Sequence, residues 1–281
     1  MGNTQWFVKK MNNDLKTKRG HLISILKDYG SLLVAYSGGV DSTFLLAMAH
    51  EALKKNLVAL TAKSPLHPLR ENQEAKAFAQ KLGIIHLFFK SREMSRSEFT
   101  ANTRERCYLC KKYLFKDLLE IARDKNIKYV AHGANIDDLK DFRPGYDAAR
   151  EMNIMAPMVD AGLTKKDIRM LSKQMNLKTW NKPPMSCLAT RIPYGTQITI
   201  EKLKMIERAE QVILDLFVTS CRVRVHDKAA RIEVNPGDIE KIMDQGNRST
   251  IVAKLRKIGF SYVAVDLEGY GPGRMNRDIY S

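Results

Sequence analysis

The sequence predicts an α/β protein in two parts: a parallel sheet covered by helices, then a small α+β domain. Three observations carry this reading. Short apolar runs alternate with amphipathic stretches from residue 32 to residue 131, the βαβα order of a parallel sheet. That order then gives way to a polar, Gly/Pro-bearing stretch, and a second set of helix and strand patterns begins after Gly195. The length of 281 residues corresponds to about two domains at about 150 residues each. The expected division is 1–195 and 196–281.

Each element has a local reason. A polar N-terminal segment leads into a helix ending near Gly30. Leu32–Tyr36, Leu57–Ala62, Ile84–Phe89 and Ile127–Ala131 are short apolar runs of the kind found in buried parallel strands. Between them, Ser42–Lys54 has helical spacing, Arg70–Leu82 puts Ala75, Phe78, Ala79 and Leu82 on one face, and Cys107–Asp124 keeps Leu114, Leu118 and Ile121 in register. Right-handed crossovers follow from such an order. Gly133–Tyr146 reads as a loop, Thr164–Met175 as a helix with Thr164 as N-cap and Asp167 three residues on, and the Pro-rich Lys182–Gly195 as irregular. In the second part, Ile200–Phe217, Asp238–Asp244 and Ile251–Ile258 read as helices, and Cys221–Val225, Arg231–Val234 and Tyr262–Leu267 as strands.

Composition narrows the function classes. Apolar residues make up 44% and charged residues 28%, which excludes collagen-like, mucin-like and wholly disordered chains. No stretch approaches about 18 uncharged apolar residues, so no membrane span is expected. Met1–Gly20 lacks the apolar run of a signal peptide, and the expectation is a cytoplasmic protein with reduced thiols. Lys+Arg number 47 against 31 Asp+Glu, a formal charge of +16. Such a surplus attracts anions, whether nucleic acid, nucleotide or phosphorylated metabolite, without choosing among them. A solvated, Lys-rich surface accounts for it equally well.

The strongest local signal is Ser37-Gly38-Gly39-Val40-Asp41-Ser42, set between a strand and a helix. Two glycines let backbone N–H groups approach an anion, and the helix start adds unpaired N–H groups and a positive dipole end. Ser37 and Ser42 supply hydroxyls, and Asp41 is suited to orient a metal ion or a hydroxyl. An ordinary glycine turn is the competing reading, and it loses ground in this strand–loop–helix setting. The segment is not a Walker loop, because the GK[ST] ending is missing. It resembles the PP-loop of the adenine nucleotide alpha hydrolase superfamily. That resemblance implies ATP and Mg²⁺, cleavage between the α and β phosphates, and adenine at the carboxyl ends of the strands. Ala62, Lys63, Ser64 and Gly133 are the residues it brings near the nucleotide.

Four cysteines form the second signal. Cys107 and Cys110 make a CxxC at a helix start, and Cys187 lies in Pro183-Pro184-Met185-Ser186-Cys187. A CxxC alone fits a redox pair, half a zinc site, part of an iron–sulfur site, or two small apolar residues. No second CxxC follows, and three thiolates together would suit a cluster with one open iron. Cys221 heads a strand and is expected in the core. The third signal is Arg222 and Arg224, on one face of one strand, with Arg231 on the next. Paired guanidiniums suit a phosphate or carboxylate, and a solvated strand face is as good an account. The six histidines show no metal-ligand spacing.

From about residue 20 onward the chain resembles the LarE family of ATP-dependent sulfur transferases. The residues that carry this are Ala35–Thr43 around the loop, Asp141-Phe142-Arg143-Pro144-Gly145, Trp180-Asn181-Lys182, Ser186-Cys187, Arg191-Ile192-Pro193-Tyr194-Gly195-Thr196, Val223–Asp227, Ala230–Glu233 and Gly273-Arg274-Met275-Asn276. The resemblance implies a PP-loop α/β fold with a small α+β substrate-binding and oligomerisation domain. It implies adenylation of one carboxylate of a pyridinium dicarboxylate mononucleotide and displacement of AMP by sulfur, in nickel-pincer cofactor synthesis. Cys187 falls on the family's sulfur-bearing cysteine. Because Cys107 and Cys110 are also present, the chain is similar to the three-cysteine branch, in which Cys107, Cys110 and Cys187 hold a four-iron four-sulfur cluster and an extra sulfide on the open iron is transferred. Arg222 and Arg224 match the family's residues for the substrate phosphate. Homo-oligomers, up to hexamers built from trimers, are implied as well; the sulfur source is not.

Two rival classes stay in view. A tRNA thiolation enzyme of the same superfamily also joins a PP-loop to a cluster, and the net charge keeps tRNA in play as a partner. The other is a nucleotide-binding adaptor that keeps the loop without turnover.

Overall fold

The computed structural model describes residues 2–139, 144–184 and 186–271. Asp141–Arg143, Met185 and Gly273–Asn276 lie outside the described residues. In chain order the helices and strands are α1 (Gly2–Tyr29), β1 (Leu32–Ala35), α2 (Val40–Leu53), β2 (Leu57–Lys63), α3 (Leu69–Lys81), β3 (Ile85–Lys90), α4 (Ser97–Thr100), α5 (Arg106–Asp124), β4 (Tyr129–Ala131), α6 (Pro144–Glu151), α7 (Pro157–Asp160) and α8 (Lys165–Gln174). They continue as α9 (Ile200–Leu214), β5 (Cys221–His226), β6 (Ala229–Val234), α10 (Ile239–Met243), α11 (Gln245–Ile258) and β7 (Tyr262–Val265).

The chain divides into two compact units. The first holds residues 1–64, 69–93 and 105–184, and the second holds 65–68, 94–104 and 185–281. The sequence expectation of 1–195 and 196–281 differs from this within the Pro-rich stretch, which belongs to the first unit up to Pro184 and to the second beyond it; two short excursions of the earlier chain also belong to the second unit.

In the first unit the sheet is fully parallel, in the order β3-β2-β1-β4. The apolar runs of β1, β2 and β4 are explained by burial on both faces, whereas β3, at the sheet edge, is half-buried with Ile85 exposed. Leu32 and Val34 of β1 join one core with Leu22, Leu26, Phe44, Met48, Ile168 and Leu171, while Leu33 joins the other with Phe115, Leu118, Ala122 and Val130. Helix α2 is buried along most of its length, including Val40, Phe44, Leu45, Leu46 and Met48. It is apolar nearly all round for that reason. The chain leaves β1 toward β2 and β3 on one side and reaches β4 on the other, so the topological switch lies between β1 and β4. Ligands of open parallel sheets bind at the carboxyl ends beside such a switch.

The helix starting at Lys165 is closed by a capping box: the Thr164 hydroxyl accepts from the Asp167 backbone N–H at 3.2 Å, and the Asp167 carboxylate accepts from the Thr164 N–H at 3.0 Å. Gly133–Tyr146, expected as a loop, contains a 3₁₀ turn at Ile136–Leu139 and the start of α6. Polar and glycine residues there concealed a helix whose Ala148 and Ala149 are buried.

In the second unit β5-β6-β7 form a mixed sheet, β5 antiparallel and β7 parallel to β6. Helix α9 is capped by the Thr199 hydroxyl, which accepts from Lys202 N–H at 3.2 Å, and buries Leu203, Ile206, Ala209 and Ile213. Helix α11 begins at Gln245, six residues ahead of the expected start, because Asp244 caps it. Its polar first turns hide the helical period. Among the described residues, no helix is long and apolar enough to cross a membrane.

Candidate functional site

The loop Ser37–Ser42 sits at the carboxyl end of β1 and runs into α2. Gly38 has φ +74, and a Cβ there would lie 3.2 Å from the Ala75 Cβ. Gly39 is the N-cap residue and offers no side-chain cap, so the helix entrance is lined by backbone. The Ser37 and Ser42 hydroxyls are 3.0 Å apart and Ser42 Oγ accepts from Ser37 N–H at 3.3 Å, which folds the loop on itself. Gly133, just past β4, is pressed against this entrance: a Cβ on it would meet the Ser42 amide nitrogen at 2.9 Å. The two segments flanking the switch are thus in backbone contact. An anion at this place meets the first amides of α2 and the positive end of its dipole.

Asp41 points one carboxylate oxygen, Oδ2, at Lys165 Nζ, in a close ion pair. Its other oxygen, Oδ1, is buried with no hydrogen-bond partner among the described residues. A buried carboxylate oxygen without a donor is costly and suits a cation, so the residue fits the Mg²⁺ that accompanies ATP. Lys165 is itself positioned from three sides. It opens α8, its backbone N–H donates to Asp137 Oδ2 at 2.8 Å, and the capping Asp167 is held by Lys18 Nζ at 3.0 Å. Asp137 N–H in turn donates to the buried Asn135 Oδ1 at 3.0 Å, tying the loop after β4 into the same network. A second ammonium, Lys182 Nζ, reaches Glu74 Oε2 at 2.6 Å and the Gly38 carbonyl at 3.5 Å. The strap carrying it is pinned by Arg169, which donates to the Trp180 carbonyl at 2.7 Å and the Lys182 carbonyl at 3.0 Å. The sequence reading missed Lys165 altogether and gave Lys182 no role. The only signal for Lys165 was its place beside the predicted cap Thr164, which says nothing of where its ammonium points.

Ala62 lies at the carboxyl end of β2, opposite Phe89 of β3. Ser64 follows, and its hydroxyl donates to Glu93 Oε1, which also accepts from Ser91 Oγ at 3.0 Å. Glu93 is buried; sequence reading did not single it out, since it lies in a short polar turn. Thr61 Oγ1 of β2 donates to the Tyr36 carbonyl at 2.6 Å and lies 2.8 Å from Nε2 of His86 in β3. With the hydroxyl proton so used, the Nε2 of His86 is the donor. Burial pushes the His86 pKa down to about 4 and that of His132 to about 3.

Cys107 and Cys110 stand in the first turns of α5, the former exposed and the latter half-buried. At three residues apart they are neighbours on one helix face. Cys187 belongs to the second unit, half-buried, as the N-cap residue of a 3₁₀ turn at Leu188–Arg191. Within either unit, among the described residues, no group of three or more His, Cys, Asp or Glu side chains is placed to hold a metal ion. Two thiols three residues apart suit a cluster's donor chemistry.

The Cys187 turn is anchored by Arg191. Its Nη1 donates to the Ser186 carbonyl at 2.9 Å, Ser186 Oγ at 2.7 Å and the Cys187 carbonyl at 3.1 Å, while Nε and Nη2 grip Glu210 at 2.7 and 3.0 Å. Arg222 and Arg224 are not on a solvated face; they are 8% and 7% exposed. Arg224 donates Nε and Nη2 to Glu233 at 3.0 and 2.8 Å and Nη1 to the Thr190 carbonyl at 2.6 Å. Arg222 donates to the Cys221 carbonyl at 2.7 Å and lies under the Tyr270 ring. Burial, then the charge of Arg191, holds its guanidinium below the usual pKa. Arg191, Arg222 and Arg224 share this region with two acids, Glu210 and Glu233, an excess of positive charge suited to a phosphate. Cys221 is buried, as expected, with its Sγ 3.4 Å from the Glu210 carbonyl.

A loop of this shape at the switch of a parallel sheet defines a PP-loop nucleotide-binding protein, and the PP-loop domain family matches residues 7–141. The similarity extends well past that domain. The chain is 34% identical over 266 residues to the pyridinium-3,5-bisthiocarboxylic acid mononucleotide synthase of Lactiplantibacillus plantarum, covering 93% of this chain and 95% of that one. It is 39% identical over 263 residues to an uncharacterized protein of Synechocystis, covering 94% and 98%. A tRNA-specific 2-thiouridylase of Rickettsia peacockii is 27% identical over 58% of this chain and 54% of its own. The chain belongs to the LarE family of PP-loop, ATP-dependent sulfurtransferases.

Proposed function

We propose that the protein adenylates a carboxylate of a pyridinium dicarboxylate mononucleotide and converts it to a thiocarboxylate, a step of nickel-pincer cofactor synthesis. The observation that carries this is the extent of similarity to the mononucleotide synthase, 93% of the chain, which takes in the small unit with its buried arginines as well as the PP-loop.

Ser37, Gly38, Gly39, Val40, Asp41 and Ser42 take the phosphates of ATP, with Ala62, Ser64 and Gly133 around the nucleotide. The substrate carboxylate attacks the α-phosphorus and pyrophosphate leaves, giving an acyl-adenylate. A carboxylate has no good leaving group until this is done. Sulfur then attacks the carbonyl carbon, the C–O bond to AMP breaks, and AMP departs with the electron pair. Asp41 would hold Mg²⁺, which when bound offsets phosphate charge. Arg222 and Arg224 hold the substrate phosphate. Cys187, with Cys107 and Cys110, would hold a four-iron four-sulfur cluster, which when bound supplies a transferable sulfur and spares the cysteine side chain. The protein acts as a homo-oligomer through its small domain.

Pyrophosphate release dependent on both ATP and the mononucleotide, with a thiocarboxylate detected by mass spectrometry, tests the reaction. Anaerobic reconstitution tests the cluster: about four irons per chain are expected for a three-thiolate cubane, and full activity without iron sinks it. A charge of +16 supports a second reading, tRNA thiolation. Steeply salt-dependent tRNA binding with thiolated product would favour it.

A further inference from the structure

Tyr270 lies beyond the last strand and has no part in the reaction described above. Its ring centroid is 5.0 Å from the Cζ of Arg222. The stacking is built into the backbone. After β7 the chain turns at Asp266, whose N–H donates to the Ile232 carbonyl at 2.9 Å and whose Oδ1 accepts from Glu268 N–H at 3.0 Å. Gly269 N–H returns to the Asp266 carbonyl at 3.0 Å, and Tyr270 N–H donates to the Val234 carbonyl at 2.6 Å. Gly269 has φ +69, and a Cβ there would stand 2.6 Å from the Val234 oxygen. Glycine is required by conformation and by space together. The turn therefore fixes where the next side chain goes, and Val234 pairs with Cys221, the neighbour of Arg222.

Stacking engages the face of a guanidinium, whereas hydrogen bonds to an oxyanion lie in its plane. A ring on the face leaves the in-plane bonding to Arg222's other partners and its ligand. It also restricts a side chain that otherwise carries about 2 kcal/mol of rotamer entropy, and it keeps water from one side of the cation.

We propose that Tyr270 is a positioning residue for the substrate phosphate, holding the Arg222 guanidinium by stacking so that its N–H edge is set before the mononucleotide arrives. This rests on the reading that Arg222 binds that phosphate, and the experiment separates the two. Binding of pyridinium-3,5-dicarboxylate mononucleotide by titration calorimetry is measured together with its KM and kcat for pyrophosphate release, on the full chain and on Arg222→Ala, Tyr270→Ala, Tyr270→Phe and the double alanine variant. Tyr270→Ala is expected to weaken binding and raise KM about tenfold, the equivalent of about 1.4 kcal/mol, with kcat within about twofold. Tyr270→Phe keeps the ring and recovers the parent KM, and the double variant is no weaker than Arg222→Ala. A Tyr270→Phe variant as weak as Tyr270→Ala, or additive losses in the double variant, overturns the proposal. So does a Tyr270→Ala variant that binds like the parent while Arg222→Ala does not. If Arg222→Ala itself binds like the parent, the phosphate reading fails and takes this inference with it.

Discussion

Lys165 and Asp41 stand 124 residues apart in the chain and form an ion pair at the mouth of the PP-loop. Lys165 comes from the capped start of α8, and Asp41 from the first turn of α2. On the proposed reading each carries a charge an ATP site needs: a cation beside the phosphates and a carboxylate for Mg²⁺. Together they neutralise each other.

Removing the lysine leaves a carboxylate with one oxygen already buried and without a donor among the described residues. Lys165→Ala is expected to raise the KM for ATP and lower pyrophosphate release by at least about tenfold, the effect of losing one charge-assisted contact. Asp41→Ala is expected to depress pyrophosphate release at least as far. Parent-like release from Asp41→Ala would remove the residue from the reaction.

Gly133 offers a steric test of the same site. A methyl group there meets the Ser42 amide nitrogen at 2.9 Å, and backbone cannot rotate away as a long side chain can. Gly133→Ala is expected to shift the entrance of α2, weakening ATP binding about tenfold or more and costing about 1–3 kcal/mol of stability. Calorimetric ATP titration and a urea melt measure both; an unchanged ATP affinity would separate Gly133 from the nucleotide site.

Local sequence made the loop, the four strands and the capped helix at Thr164 readable, because each depends on residues a few positions apart. Thr164 and Asp167 sit within one turn, and Leu32 to Ala35 must be apolar to be buried on both faces. What the sequence could not show is direction over distance. Nothing near Lys165 tells that its ammonium meets Asp41, and nothing near Arg191 tells that it anchors the Cys187 turn to Glu210. Arg222 and Arg224 on alternate positions read equally well as a wet face, since the buried acids that allow their burial come from α9 and β6. Gly133–Tyr146 concealed α6 because its first turn is Pro144-Gly145, a sequence that favours loops and here starts a helix packed on α5.

The Arg224–Glu233 pair is the sharpest stability test in the second unit. Glu233 is 0% exposed, and both its oxygens accept from Arg224. Removing one partner of such a pair strands the other charge away from water, which costs about 3–5 kcal/mol. Glu233→Ala is expected to destabilise by that amount in chemical denaturation, whereas Arg224→Met costs less, because Glu233 keeps the hydrogen bond from Arg231 Nη2 at 3.2 Å. A loss below about 1 kcal/mol would mean that water reaches the pair.

His86 and His132, whose pKa values burial lowers most, make stability fall toward acid, and the sign follows from linkage. In the unfolded chain each titrates near its ordinary value of 6.5, whereas in the fold burial holds His132 neutral to about 3 and His86 to about 4. Above pH 6.5 neither state binds these protons, and the contribution is fully present. Below it the unfolded chain takes up protons that the fold refuses, so stability drops by at most about 1.4 kcal/mol per pH unit for each histidine. His86, with the higher folded pKa, stops contributing to the slope near pH 4, ahead of His132. The lowered pKa of His226 acts in the same direction, while the raised carboxyls of Asp117 and Asp160 act oppositely once carboxylates begin to titrate. Between pH 6.5 and 5 the histidines dominate, and the unfolding free energy is expected to fall across that window. His132 packs edge-on to Phe115 and its Nε2 has no hydrogen-bond partner among the described residues, so His132→Phe removes the titrating group without stranding a donor. The variant is expected to flatten the slope measurably in urea melts at successive pH values; an unchanged slope would show that His132 takes up its proton in the folded protein.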